Sequence, residues 1–553
     1  MLESKYMTKA VAVMTAAAVI LCLASILFSE NLAETFGGKI VAMEYESRIF
    51  DTSQIISIDI LIAEEEWNEM LDNAMSEVYY SCDVVVNGTT FCNVGIRPKG
   101  NTSLSAIASD PENDRYSFKI EFDKFVEGQT CWGLDKLVLN NNYADATGRK
   151  EAIVYDMYQY LDVDASLYNY AKISVNGDYW GVYLALEAVE DSFLLRNYGV
   201  EDGNLYKPDS MNMDKGGKEG RKGFDMESFP RPDDDGTGEW PGRDGKEEPP
   251  GRGKEDVPAE WGKEDVPEER GKEDVPAEWS GKQASPERGG FPRDSGDGMP
   301  GGFSGRGANL NYMDDDLDSY TDIWESSITK SSKADHKNVV SALKNISEGI
   351  QLEKYLDIDN ILKYMAVHSF SVNEDSLSGM MAHNYYLYEN NGQLNILPWD
   401  YNLSFGGMAM GGEKDGTSMV NDPIDTPFSG TEFFDALLEN EEYLAKYHEY
   451  YEILVEEYLY GGKLEETYQR ISNQIDDLVK TDPNSMYTYE EYEKGVQTLY
   501  DTIMLRAESI RGQLDGTIPS TQEGQRTDSG NLVDGSAIDI SSMGVFTMGG
   551  GTP

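Results

Sequence analysis

Apolar and polar residues alternate through residues 117–122, with Phe118, Ile120 and Phe122 on one face and Lys119 and Glu121 on the other. That period of two predicts a half-buried strand. Residues 55–62 (IISIDILI), 136–139, 170–175 and 179–186 read as further strands, the last two joined at Asn176-Gly177. Helical spacing governs residues 64–73, with Trp67 and Leu71 on one face. It also governs residues 149–161, with Ile153, Tyr155, Met157 and Tyr160 among the buried candidates and Glu151 in the first turns. Later helices are expected at 335–350, 352–368, 432–459, 463–479 and 489–514.

The most informative pattern lies at residues 370–407. The aromatic, β-prone stretch 383–389 meets Asn390, Asn391 and Gly392, and residues 393–397 return, which predicts a hairpin. Pairing outward from a two- or a three-residue loop places Asn384 opposite Pro398 or Trp399. Asn384 and Asp400 then share the open end of the hairpin with the acidic loop Asn373, Glu374, Asp375. Oxygen ligands gathered in this way suit a hard cation and a proton acceptor. Protein kinases present the same order: apolar helix, acidic loop, metal-binding Asn, hairpin, then a metal-binding Asp. Here Asn384 follows Asp375 at a longer interval than in the kinase catalytic loop, and Asp400 precedes Tyr-Asn instead of Phe-Gly. An ordinary protein kinase is thereby excluded.

Composition sharpens this picture. The 553 residues carry a net charge of −54, which repels nucleic acid phosphates; it reads first as a solubility device, with basic protein substrates as the alternative. His336, His368, His383 and His448 have no metal-ligand spacing, which argues against a His-ligated zinc enzyme. Cys82 and Cys92 flank a Val-Asn-Gly hairpin tip and face each other with a three-residue loop but not with a two-residue one. Residues 10–28 form an uncharged apolar run after Lys5 and Lys9. This predicts a transmembrane signal anchor after a cytoplasmic stub (1–9), with the catalytic domain extracytoplasmic; a cleaved signal peptide is the alternative. From 209 to 306 Gly, Pro and charged residues dominate, with three nonapeptide copies of the GKEDVPAEW type, and a disordered insertion within a folded domain is expected. A Gly/Ser/Thr-rich tail from 516 to 553 is expected to be unstructured.

Several segments carry a family likeness: GIRPKGNTS, SFKIEFDKF, RKEAIVYDMY, VNGDYWGVYLALEAV, GNLYKPD, NEDS, HNYYLYENNGQLNILPWDYNLSFGG and RAESIRGQL. In this order they span residues 50–515 apart from the insertion, and the chain resembles the CotH family of spore-coat-protein-H-type atypical protein kinases. The resemblance implies an α+β, divergent two-lobed kinase-like fold, with residues 51–208 as the small lobe and 307–515 as the large one. It implies transfer of the ATP γ-phosphoryl group to Ser or Thr of cell-surface or spore-coat proteins, with Mg²⁺ or Mn²⁺. Asp375 would be the catalytic base and Asp400 the principal metal ligand, assisted by Asn384. Arg97, Lys99 or Lys119 would hold phosphates, Lys119 and Glu151 would form the small lobe's ion pair, and Glu187 would mark the hinge beside the nucleotide. The rivals are a surface-anchored pseudokinase scaffold and a nucleotidyl (AMP) transferase.

Overall fold

The computed structural model describes residues 42–547 except 112, 200–202, 211–305, 380 and 410–414. The predicted anchor and almost all of the repeat-bearing insertion lie outside these residues.

Seven strands, β1 (Ile56–Leu61), β2 (Tyr80–Val86), β3 (Thr89–Lys99), β4 (Ser117–Glu121), β5 (Lys136–Asn140), β6 (Tyr168–Val175) and β7 (Asp178–Glu187), close into a barrel. Neighbours run antiparallel except at the closure, where β1 pairs parallel with β6, Ile56 opposite Ala171. The interior is filled by alternate residues such as Ile58, Val84, Ile96, Phe118, Ile120 and Leu139, all fully buried. Trp67, on the helix Glu64–Asp72, packs against Phe118 with ring centroids 5.4 Å apart and the planes tilted by 36°.

The outer face of the barrel belongs to the second, larger core. Val138, Tyr170, Leu184 and Leu186 pack with the helix Lys150–Tyr160 and, through it, with the helix Ile358–Ser371. β8 (Asn204–Tyr206), β9 (Tyr385–Asn390) and β10 (Gln393–Pro398) form a three-stranded sheet beside that helix. The helices Glu441–Glu452, Lys463–Lys480 and Tyr489–Leu514 complete this half. Ion pairs join the halves: Arg115 to Asp482 at 2.7 Å, with both partners buried, and the buried Arg149 to the half-exposed Asp476 at 2.8 Å.

Three expectations need correction. The α+β class holds, but the two-lobed kinase-like fold does not follow from this architecture. The early strands close on themselves, and one apolar core runs from the barrel wall into the helices. The reason is long-range: nothing in the alternation of residues 55–62 says that they will pair with residues 168–175. The membrane-anchored, extracytoplasmic placement also has no support in the structure: residues 10–28 lie outside the described residues, and among the described residues no helix is long and apolar enough to cross a membrane. Finally, the tail expected to be unstructured carries a helix, Gln522–Thr527, and a strand β12 (Phe546–Thr547) paired with β11 (Met408–Ala409). Cys82 and Cys92 are both free: the turn has two residues, Asn87 and Gly88, and a register shift between Cys82 and Val84 then sets Cys82 opposite Val94.

Candidate active site

The hairpin of β9 and β10 turns at Asn391-Gly392 and pairs Tyr385 with Pro398, which brings Asn384 level with Trp399. Asp375, Asn384 and Asp400 thereby line one cavity of about 290 Å³, together with Arg97, Lys99 and Lys119 from the barrel. The loops that meet here are held in costly backbone conformations. Val372, Ala382, Asn384, Asp400 and Phe405 all have positive φ, from 41° to 62°. Asn and Asp tolerate this region, but a β-branched residue such as Val372 does not adopt it without support. The support is local. Phe405 N donates to Ser371 O at 2.8 Å, and Asn373 Nδ2 donates to Asp400 O at 3.3 Å. Gly379 closes the acidic loop at a point where a Cβ would lie 1.8 Å from Glu374 O.

Both oxygens of Asp375 are engaged. His383 Nε2 sits 2.9 Å from Oδ1, and Asn384 Nδ2 donates to Oδ2 at 3.0 Å and to the main-chain oxygen at 2.9 Å. Burial alone would push the His383 imidazolium down, but the charge and hydrogen bond of Asp375 outweigh it and hold the ring above its ordinary value. The Asp375 carboxylate is therefore aimed by two side chains from the base of β9. Such aiming gives a proton acceptor its orientation.

Cations line the same cavity. Lys99 Nζ donates to Asn140 Oδ1 at 3.0 Å, and Asn140 Nδ2 donates to Glu151 Oε2 at 2.8 Å. Glu151 is fully buried beneath the cavity; burial and then the Asp400 charge raise its carboxyl well above the usual carboxylate range. Lys207 was not foreseen. It follows β8 just before the insertion, lies 5.4 Å over both the Tyr386 and Trp399 rings, and lines the same cavity. Burial, reinforced by the Lys99 charge, lowers its ammonium to about 8, although Asp400 pulls the other way. The only signal for it in the sequence is a basic residue in NLYKPD, and His383 is marked only by its place next to Asn384.

Two predicted assignments change. Lys119 pairs with Glu190, which also takes Lys136, and not with Glu151. Glu187 is not among the cavity residues: it is fully buried, bonded to Arg196 (2.6 Å), Leu167 N (3.1 Å) and the Tyr45 hydroxyl. That network is structural. Arg97 reaches the cavity but is paired with Glu77 and lies over Tyr79.

Among the described residues no group of three or more His, Cys, Asp or Glu forms a metal cage. Mg²⁺ bound with a nucleotide commonly takes one or two carboxylates and fills its remaining positions with phosphates and water. Asp400 and the amide oxygen of Asn384 are a donor set of that kind. The family model described as CotH kinase protein matches residues 96–240 and 293–510, most of the chain and both walls of this cavity. The chain belongs to the CotH kinase family. No curated protein matches it. Within the CotH match fall all the cavity residues discussed above, from Arg97 to Asp400, so the family assignment and the geometry concern the same part of the molecule.

Proposed function

We propose that this CotH-family chain is an ATP-dependent protein kinase that phosphorylates Ser or Thr of protein acceptors, with Mg²⁺ or Mn²⁺ as the metal. Proteins of the spore or cell surface are the acceptor class, and nucleic acid is not a partner. The observation that carries the reading is the meeting of Asp375, Asn384 and Asp400 with Lys99, Lys119 and Lys207 around a single cavity. Phosphoryl transfer asks little covalent chemistry of a protein; it asks for positioning and charge stabilisation. The acceptor oxygen bonds to the γ-phosphorus, the bond from that phosphorus to the β–γ bridging oxygen breaks, and ADP leaves. Asp375 takes the hydroxyl proton, held in place by His383 and Asn384. Lys99, Lys119 and Lys207 hold phosphate oxygens. Asp400 and Asn384 would hold the metal, whose part is to neutralise charge on the phosphates.

The first test is nucleotide binding by the full chain with and without Mg²⁺. Asp400→Ala is expected to weaken Mg²⁺-dependent ATP binding at least tenfold, about 1.4 kcal/mol. Equal affinity in the variant would dispose of the metal assignment. Incubation with γ-labelled and α-labelled ATP then separates a kinase from a nucleotidyl transferase, because only the former leaves the γ-label on protein.

Lys207 adds a pH signature. Its ammonium is charged below about 8 and loses its proton as pH rises through that value. A cation held against phosphate strengthens binding, so ATP affinity should fall as pH rises past about 8. Lys207→Met should bind roughly tenfold more weakly at neutral pH, as expected for loss of one charge-assisted contact. It should also flatten the pH profile above 7. An unchanged profile in the variant would show that Lys207 does not touch the nucleotide.

A further inference from the structure

His368, on the helix Ile358–Ser371, is buried and is not among the cavity residues, yet it touches both segments that carry the site. Its Nδ1 lies 2.9 Å from the hydroxyl of Tyr401, the residue after Asp400, and 3.5 Å from that of Tyr364. Its Nε2 lies 2.8 Å from Ser378 Oγ and 3.2 Å from Ser376 Oγ, on the loop that follows Asp375. Counting hydrogens decides the tautomer. On the Nδ1 side the phenols of Tyr158, Tyr364 and Tyr401 are all buried, with the Tyr158 and Tyr401 hydroxyls 2.6 Å apart. Were Nδ1 to carry a hydrogen, it and these hydroxyls would have only one another as partners among the described residues, and one hydrogen would be left without an acceptor. A buried donor left unpaired forfeits its hydration with no return. With Nδ1 bare, Tyr158 donates to Tyr401 and Tyr401 donates to the ring. On the other side Ser376 and Ser378 both donate to Asn373 O, at 2.7 and 3.1 Å, which leaves Ser378 Oγ open to accept from Nε2. Burial lowers the imidazolium to about 3, so the ring is neutral at ordinary pH.

We propose that His368, with its single hydrogen on Nε2, is a positioning residue that sets the Asp375 loop against the Asp400 turn. The inference rests on the kinase reading of the cavity for what this positioning achieves. The run Tyr158, Tyr401, His368, Ser378, Asn373 has one direction, each member donating to the next from the turn towards the loop. It ends on the residue whose side chain joins the two acids: Asp375 N donates to Asn373 Oδ1 at 3.2 Å, and Asn373 Nδ2 donates to Asp400 O at 3.3 Å. A proton acceptor and a metal ligand must keep a fixed separation for transfer from a metal-held phosphate, and small misplacements are costly in rate. His368 touches neither nucleotide nor acceptor, so its effect falls on the chemical step and not on nucleotide binding.

Two variants of the full chain separate the tautomer from the ring. His368→Gln and His368→Asn both lose the stacking on Tyr364 and Phe428, whose ring centroids lie 5.2 and 5.9 Å away. The Gln amide nitrogen takes the place of Nε2, whereas the shorter Asn puts its nitrogen where Nδ1 was. With γ-labelled ATP, Mg²⁺ and a histone as a basic acceptor, kcat of the Asn variant should fall roughly tenfold below that of the Gln variant. KM for ATP should agree between the two within about twofold. Amide hydrogen exchange over residues 373–379 should be roughly tenfold faster in the Asn variant. In parent protein labelled with ¹⁵N-histidine, the ring signals that vanish in His368→Gln should show Nε2 protonated and Nδ1 bare. A hydrogen on Nδ1 would overturn the proposal, as would equal loop exchange in the two variants, or equal kcat where the parent is active. A parent that transfers no phosphate, yet shows the Nε2 hydrogen and the contrast in exchange, would support the positioning of the loop and sink the kinase reading.

Discussion

Asp375→Asn should reduce phosphoryl transfer by roughly 10²- to 10⁴-fold, the usual scale for losing a positioned proton acceptor, while ATP binding stays within about twofold of the parent. The separation follows from the contacts. An amide at this position retains an oxygen to face His383 or Asn384, the two side chains that now engage the carboxylate. What it loses is the capacity to accept the hydroxyl proton. Asp375→Ala should be equally impaired in transfer, with added disorder at the His383 ring. Initial rates with labelled ATP, alongside calorimetric nucleotide titrations, would check both claims. An Asn variant retaining more than about a tenth of the activity would remove Asp375 from its role as base, and the cavity would need a different acceptor.

The second large effect concerns stability. Arg115 and Asp482 are nearly inaccessible, with side chains 5 % and 2 % exposed, and their ion pair measures 2.7 Å. Arg115 also donates to Val182 O and Asn141 O and lies 4.7 Å over the Tyr183 ring, while Asp482 accepts from Val182 N. Asp482→Ala removes one partner and strands a buried guanidinium, so destabilisation of about 3–5 kcal/mol is expected. Replacing both members with apolar residues of similar size should cost far less, since no charge is then left unpaired. Denaturant melts of the single and double variants would show this. A single variant within about 1 kcal/mol of the parent would mean that Arg115 finds a new partner or water. The pair joins the barrel to the loop after the helix Lys463–Lys480, so its loss should reach Asn141 and Asn142 at the edge of the cavity.

Local chemistry was readable along the chain, and distant pairing was not. The hairpin could be placed because aromatic strands and an Asn-Gly turn specify register within a few residues, and that register is what delivers Asn384 to Asp375. The helix at Tyr489–Leu514 was similarly plain, since its Thr488 cap and apolar spacing are local. The single helix expected over 352–368 is divided, because Asp357 caps a new start at Ile358. The partner of Lys119 was misjudged for a different reason. Both Glu151 and Glu190 are near strands in sequence, and only the three-dimensional path of the chain after β7 decides between them. Lys207 escaped notice because its environment, two aromatic rings and two other lysines, is assembled from four separate segments. The barrel is the extreme case, as its closure depends on one parallel pairing between strands with much intervening chain.

That closure has a bearing on how the molecule comes to be made. Ile56 emerges from the ribosome well before Ala171, the residue it must meet, so the first strand waits with one flank unpaired while the next five are synthesised. Such non-local pairing is slow, and an open flank invites the wrong neighbour. The barrel half of this protein should therefore depend on the cell's chaperones during translation more than the helices that follow it.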